Sequence, residues 1–133
     1  MFERGVPSGR SGMTAAAWLD DGSNEPFAYL TTTGRVTGDP HEIEIWFAVD
    51  GATAYFLAGG RDTADWVRNL RATPTVTLRI ADHTASGHAR VVDAGSAEDA
   101  RARQLVWRKY TGPDRDLIEW RDTALAVAVD VTA

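Results

Sequence analysis

Cysteine is absent from the 133 residues. That absence removes disulfides, thiolate metal sites, cysteine nucleophiles and any thiol redox chemistry borne by the chain itself. Lysine is nearly absent: Lys109 is the single one among 14 basic residues, set against 19 acidic ones. The resulting net charge of −5 leaves no broad cationic surface, so nucleic-acid binding is not expected. No apolar run approaches the ~20 residues of a transmembrane helix. The opening stretch Met1–Gly9 lacks the apolar core of a secretory signal, so a cytoplasmic location is expected. The familiar catalytic signatures are missing too. There is no G-x-S-x-G elbow, no H-E-x-x-H helix and no G-x-x-x-x-G-K-[ST] phosphate loop. His83 and His88 stand five residues apart without a third ligand nearby, so no metal site is expected.

What is present is an ordinary globular composition, 44% hydrophobic and 25% charged, at a length of about one domain. Residues 1–25 are glycine-rich and polar apart from Thr14–Leu19, and read as a flexible arm with a short helix docked through Trp18 and Leu19. Residues 26–133 form the domain. Alternation marks strands at 27–33, 42–49, 52–58, 75–80, 86–92 and 124–131, with Asp50-Gly51 as a hairpin signal. Residues 62–71 read as a short helix capped by Asp62 or Thr63 and stopped at Thr73-Pro74. Ser96-Ala-Glu-Asp99 opens a second helix to about Tyr110, and residues 116–120 add a further turn. Six strands with short helical insertions predict a mainly β, α+β architecture, a closed antiparallel barrel. In the last strand Leu125, Val127, Val129 and Val131 are expected in the core. The row Ala124, Ala126 and Ala128 presents a smooth face against which something large can lie.

Three features carry candidate chemistry. Gly59-Gly60-Arg61-Asp62 leads from a strand into a helix start, where free amides, permissive glycines and a guanidinium can gather an anion, a phosphate for example; the plainer reading is a tight turn with glycines at positive φ. Glu42 and Glu44 share one strand face, suited to acid–base work or to solvent. Trp46 lies on that same face, opposite Ile43, Ile45 and Phe47, and can wall a planar ligand.

Two longer motifs then stand out. Thr32-Thr-Gly-Arg-Val-Thr-Gly-Asp-Pro40 and Trp66-Val-Arg-Asn-Leu-Arg-Ala-Thr-Pro74, with Ile45-Trp-Phe47 and Gly59-Gly-Arg-Asp62 between them, resemble the deazaflavin-dependent nitroreductase and quinone reductase family over about residues 27–131. The resemblance implies a split β-barrel of the FMN-binding, pyridoxamine-phosphate-oxidase-like type. It also implies coenzyme F420 as hydride source, with a quinone, nitro compound or other conjugated small molecule as acceptor. That suits a chain with no redox-active side chain of its own. Carried over by position, Arg35, Thr37, His41, Ala58, Gly59, Gly60 and Arg61 hold the phosphate and tail. Ile43, Glu44, Ile45 and Trp46 lie along the ring, and Trp66 and Asn69 orient the helix beside it. Trp107, Tyr110 and Trp120 border the acceptor pocket, and the proton is expected from water or from Tyr110 or His41. Val36, His41 and Ala58 stand where family members often carry basic residues. FMN in place of F420, and a non-catalytic carrier of fatty acid, haem or another apolar ligand, are the alternatives. A homodimer is the expected assembly.

Overall fold

Alternating apolar and polar residues need a sheet with one face buried, and seven antiparallel strands supply it. The computed structural model describes residues 14–132. The chain runs α1 (Ala15–Asp21), β1 (Ala28–Thr33), β2 (Pro40–Ile45), β3 (Ala48–Asp50), β4 (Thr53–Ala58), a 3-10 turn (Arg61–Thr63), α2 (Asp65–Ala72), β5 (Thr75–Ile80), β6 (His83–Val91), α3 (Ala97–Tyr110), α4 (Ile118–Thr123) and β7 (Leu125–Val131). The strands pair in the order β2-β1-β5-β6-β7-β4-β3. Its two edges, β2 and β3, are joined by only Trp46 and Phe47. A link that short brings the two edges of the sheet together, so the sheet must curl into a nearly closed barrel.

Seven strands replace the expected six because the stretch read as one strand over 42–49 is two. The alternation Ile43, Ile45, Phe47 continues without a break, but the backbone changes partner from β1 to β4 at Trp46-Phe47. The hairpin that follows turns on Gly51-Ala52, with Gly51 at φ 60°, one residue later than the Asp50-Gly51 signal implied.

Inside the barrel lie Leu30, Phe47, Phe56, Leu78, Ile80, Val127 and Val129, all nearly inaccessible, with Val67 and Leu70 of α2 closing one end. Trp18 and Leu19 of α1 belong to this same cluster. The short helix is therefore docked as the sequence implied; residues 1–13 of the proposed arm lie outside the described residues. On the outer face, α3 covers β3, β4 and β7 through Ala102, Val106 and Tyr110. The Ala124, Ala126 and Ala128 row is what lets that helix approach closely. The smooth face is thus filled by the chain itself, not left for a ligand. Ser96 caps α3 by accepting from the Asp99 N–H, and the Asp99 carboxylate reaches back to the Gly95 N–H.

Candidate functional site

Strand β2 runs past two neighbouring openings. The first, about 760 Å³, is lined by Thr32, Gly34–Thr37, Asp39–Ile43 and, from α2, Asp65, Trp66 and Asn69. Asn69, buried at 5% exposure, organises it. Its side-chain oxygen accepts from the Arg35 backbone N–H (3.2 Å) and guanidinium (2.9 Å), and its amide nitrogen donates to Thr32 Oγ1 (3.2 Å). This links the two sequence motifs physically. Arg35 also pairs with Asp65 at 3.2 Å, so its charge is largely committed within the protein. The β1–β2 loop closes on itself through Gly34 N–H to Asp39 O and Gly38 N–H to Gly34 O. At Gly34 the chain passes close to His41: a Cβ there would stand 2.7 Å from His41 Nε2, so a side chain would need the imidazole to shift. Its charged lining is mixed: Arg35 pairs with Asp65, Glu42 lies 3.7 Å from Arg79, and Asp39 and His41 complete the polar wall.

The second opening, about 530 Å³, is lined by Phe27, Glu44, Ile45, Trp46, Leu57, Leu117 and Trp120. It is an aromatic, apolar groove. Tyr110 stacks on one face of Trp46 with centroids 4.3 Å apart and planes 2° from parallel, while Trp120 meets Trp46 edge-on at 5.7 Å. Glu44 supplies the groove's one carboxylate, which accepts from Tyr29 Oη at 2.9 Å. Behind the stack, Tyr110 Oη accepts from the Phe47 N–H (3.0 Å) and faces the carbonyls of Pro26 (2.9 Å) and Phe47 (3.2 Å). Burial pushes this phenol above its ordinary range, and the Phe47 hydrogen bond pulls the other way. Lys109 donates to the same Phe47 carbonyl at 3.0 Å and lies 3.6 Å from the Phe47 ring centroid. Desolvation lowers its amine to about 8, opposed by the charge of Glu25.

Beside the groove is the double-glycine turn. A Cβ on Gly59 would stand 3.7 Å from the Trp120 indole. Neither Gly59 nor Gly60 adopts a positive φ; the left-handed residue is Arg61, at φ 52°. The expectation that the glycines serve positive φ is therefore not met. The expected cap is also displaced. Thr63 Oγ1 donates back to Gly60 O, Asp62 pairs with Arg71 at 2.6 Å, and α2 starts at Asp65 with Ala64 in the cap position. Among the described residues no acceptor takes the N–H groups of Gly59, Gly60, Arg61 or Asp62.

The residues singled out in the sequence thus divide. Arg35, Thr37, His41, Ile43, Trp66 and Asn69 meet in the first opening, and Glu44, Ile45, Trp46 and Trp120 in the second. Ala58 is buried in β4, just before the turn. Tyr110 lies behind Trp46 with its hydroxyl held by backbone groups, so it is a packing ring and not a free acid. His41 is in the other opening, and the two expected proton donors do not meet. Trp107 borders neither opening; its ring lies under Arg121, at 4.9 Å, and its buried Nε1 has no hydrogen-bond partner among the described residues. The sequence reading missed Phe27, Leu57 and Leu117, which carry no signal distinguishing a groove wall from core. Among the described residues no group of three metal-ligating side chains forms, and no helix is long and apolar enough to cross a membrane.

Comparison with known proteins is consistent with this geometry. The model of a family described as F420H(2)-dependent quinone reductase matches residues 11–132. Among solved structures, a conserved hypothetical protein of Mycobacterium tuberculosis is 23% identical, over 90% of this chain and 81% of the other, with a TM-score of 0.72. An F420-H2 dependent reductase is 21% identical over 78% of this chain and 93% of its own, with a TM-score of 0.65. A protein from Listeria innocua described as a candidate pyridoxamine 5′-phosphate oxidase is 16% identical over 88% and 92%, with a TM-score of 0.62. At these identities the structural matches establish the fold, a split antiparallel barrel.

Proposed function

The chain belongs to the F420H2-dependent quinone reductase family, and from that premise we propose that it binds coenzyme F420 and passes a hydride from the reduced form to a flat conjugated acceptor, a quinone or an aromatic nitro compound. The observation that carries this reading is an adjacency. An aromatic groove sits beside a turn whose four successive amides lack acceptors among the described residues, with Gly59 facing Trp120. A ligand with a planar ring at one end and an anion at the other matches both halves.

The residues fit such a cofactor. Ile45, Trp46 and Leu57 offer apolar contact for a ring, and the Glu44 carboxylate can accept a ring N–H or hydroxyl. The Gly59–Asp62 amides and the exposed Arg61 guanidinium can hold a phosphate. When bound, the reduced deazaflavin supplies the hydride pair. The chain's task is to hold the ring against an acceptor on the Leu117 and Trp120 side and to exclude water from the stack. Quinone reduction consumes one hydride and one proton, giving the hydroquinone. The proton comes from solvent, since the Tyr110 hydroxyl is held by backbone and His41 is in the other opening.

The carrier reading loses one of the two features that favoured it, because α3 covers the alanine row; the other, the missing basic residues at Val36, His41 and Ala58, stands. The test is anaerobic oxidation of reduced F420 by a naphthoquinone and by a nitroaromatic, followed by the return of deazaflavin absorbance. Turnover is expected with wild type. Arg61→Ala should loosen F420 about tenfold or more, the worth of one charge-assisted hydrogen bond, without unfolding the exposed turn. No turnover with either acceptor, or F420 affinity indifferent to Arg61, contradicts the proposal.

A further inference from the structure

We propose that the aromatic groove selects flat acceptors bearing an anionic substituent, and that Arg115 is the residue that reads the charge. The inference rests on the reading above only in taking the Leu117 and Trp120 side of the groove as the acceptor's seat.

Most arginines of this protein are tied to carboxylates. Arg35, Arg71, Arg79, Arg90, Arg101, Arg103 and Arg121 each lie within 4 Å of one. Arg115 is different. Among the described residues no carboxylate pairs with it; its guanidinium donates to the Tyr110 carbonyl at 3.3 Å and stands 4.9 Å from the centroid of the Trp46 ring. Tyr110 already occupies one face of that ring. An exposed guanidinium, flanked in sequence by Asp114 and Asp116 but in contact with neither, therefore sits against the indole that walls the groove. Its loop is fixed at both ends, by the Gly112–Arg115 bridge and by Leu117, which itself lines the groove. The one carboxylate on the groove wall, Glu44, comes from β2 and is engaged by Tyr29. Glu44 from the strand thus stands on the groove wall, and Arg115 from the loop stands beside the groove, against the Trp46 ring. A ring with an acidic substituent gains by turning that end toward Arg115 and away from Glu44.

The test is equilibrium titration, read by quenching of tryptophan fluorescence, since Trp46 and Trp120 form the walls. The probes are anthraquinone sulfonate and its neutral hydroxymethyl counterpart. Wild type should prefer the sulfonate by about three- to fivefold at low salt, the size of an exposed charge contact, with the preference falling as salt is added. Arg115→Met should lose the preference while binding the neutral probe as before. Arg115→Lys should keep part of it, and Glu44→Gln should strengthen sulfonate binding. Equal affinities in wild type, or a preference that survives Arg115→Met, overturn the proposal. Binding of neither quinone overturns both this inference and the groove assignment. A normal quinone preference without F420 binding upholds the charge-reading role and overturns the cofactor reading alone.

Discussion

At the scale of single residues, Asn69 has the most consequential position. It is the only described side chain joined to both Thr32 and Arg35, and truncation would leave a buried hydroxyl and a backbone N–H without partners. Asn69→Ala should lower stability by about 1–3 kcal/mol, seen as a lower urea midpoint at unchanged slope. Lys109 makes a pH-dependent contribution of definite sign. Its native pKa, about 8, lies below that of an exposed amine, so the unfolded chain binds more protons across the interval above it. Stability from this group therefore rises with pH there. Between pH about 7.5 and about 9.5 the urea midpoint of wild type should climb relative to Lys109→Met, and parallel curves would contradict the assignment. Asn69 was legible as a motif residue, but its partners were not. Thr32 lies 37 positions away, and nothing in the local pattern pairs them.

At the scale of elements, the alternation in 75–80 located β5 to the residue, because Pro74 and the Ala81-Asp82 turn bound it on both sides. Ser96 located the start of α3 for a similar reason: an N-cap is a local device. The break between β2 and β3 was hidden, since side-chain alternation persists while hydrogen-bond partners change. The groove walls Phe27, Leu57 and Leu117 were hidden as well, because an apolar side chain reads the same whether it faces core or cavity. Packing between strands is tight enough to test. A Cβ on Gly87 in β6 would stand 2.5 Å from Val129 Cγ1 and 3.1 Å from the Asp130 carbonyl of β7. Gly87→Ala should destabilise by about 1–3 kcal/mol, measured by thermal or urea unfolding; a neutral effect would mean that the β6–β7 pairing is looser than described.

At the scale of the whole molecule, a barrel closed by the Trp46-Phe47 link places the aromatic groove where the two sheet edges meet. The glycine turn at the end of β4 and the loop carrying Arg115 border that groove. This arrangement gives the chain a place for a borrowed redox group that its own side chains cannot replace. Family membership and the split barrel were readable from the paired motifs. The division of their residues between a polar opening and an aromatic groove needed the folded structure. The most direct measurement is titration of the purified protein with oxidised F420 and, separately, with FMN, followed by tryptophan quenching. The account predicts saturable micromolar binding of F420, weakened by Arg61→Ala, with FMN at least tenfold weaker. Failure of F420 to bind, or tighter binding of FMN, would contradict it.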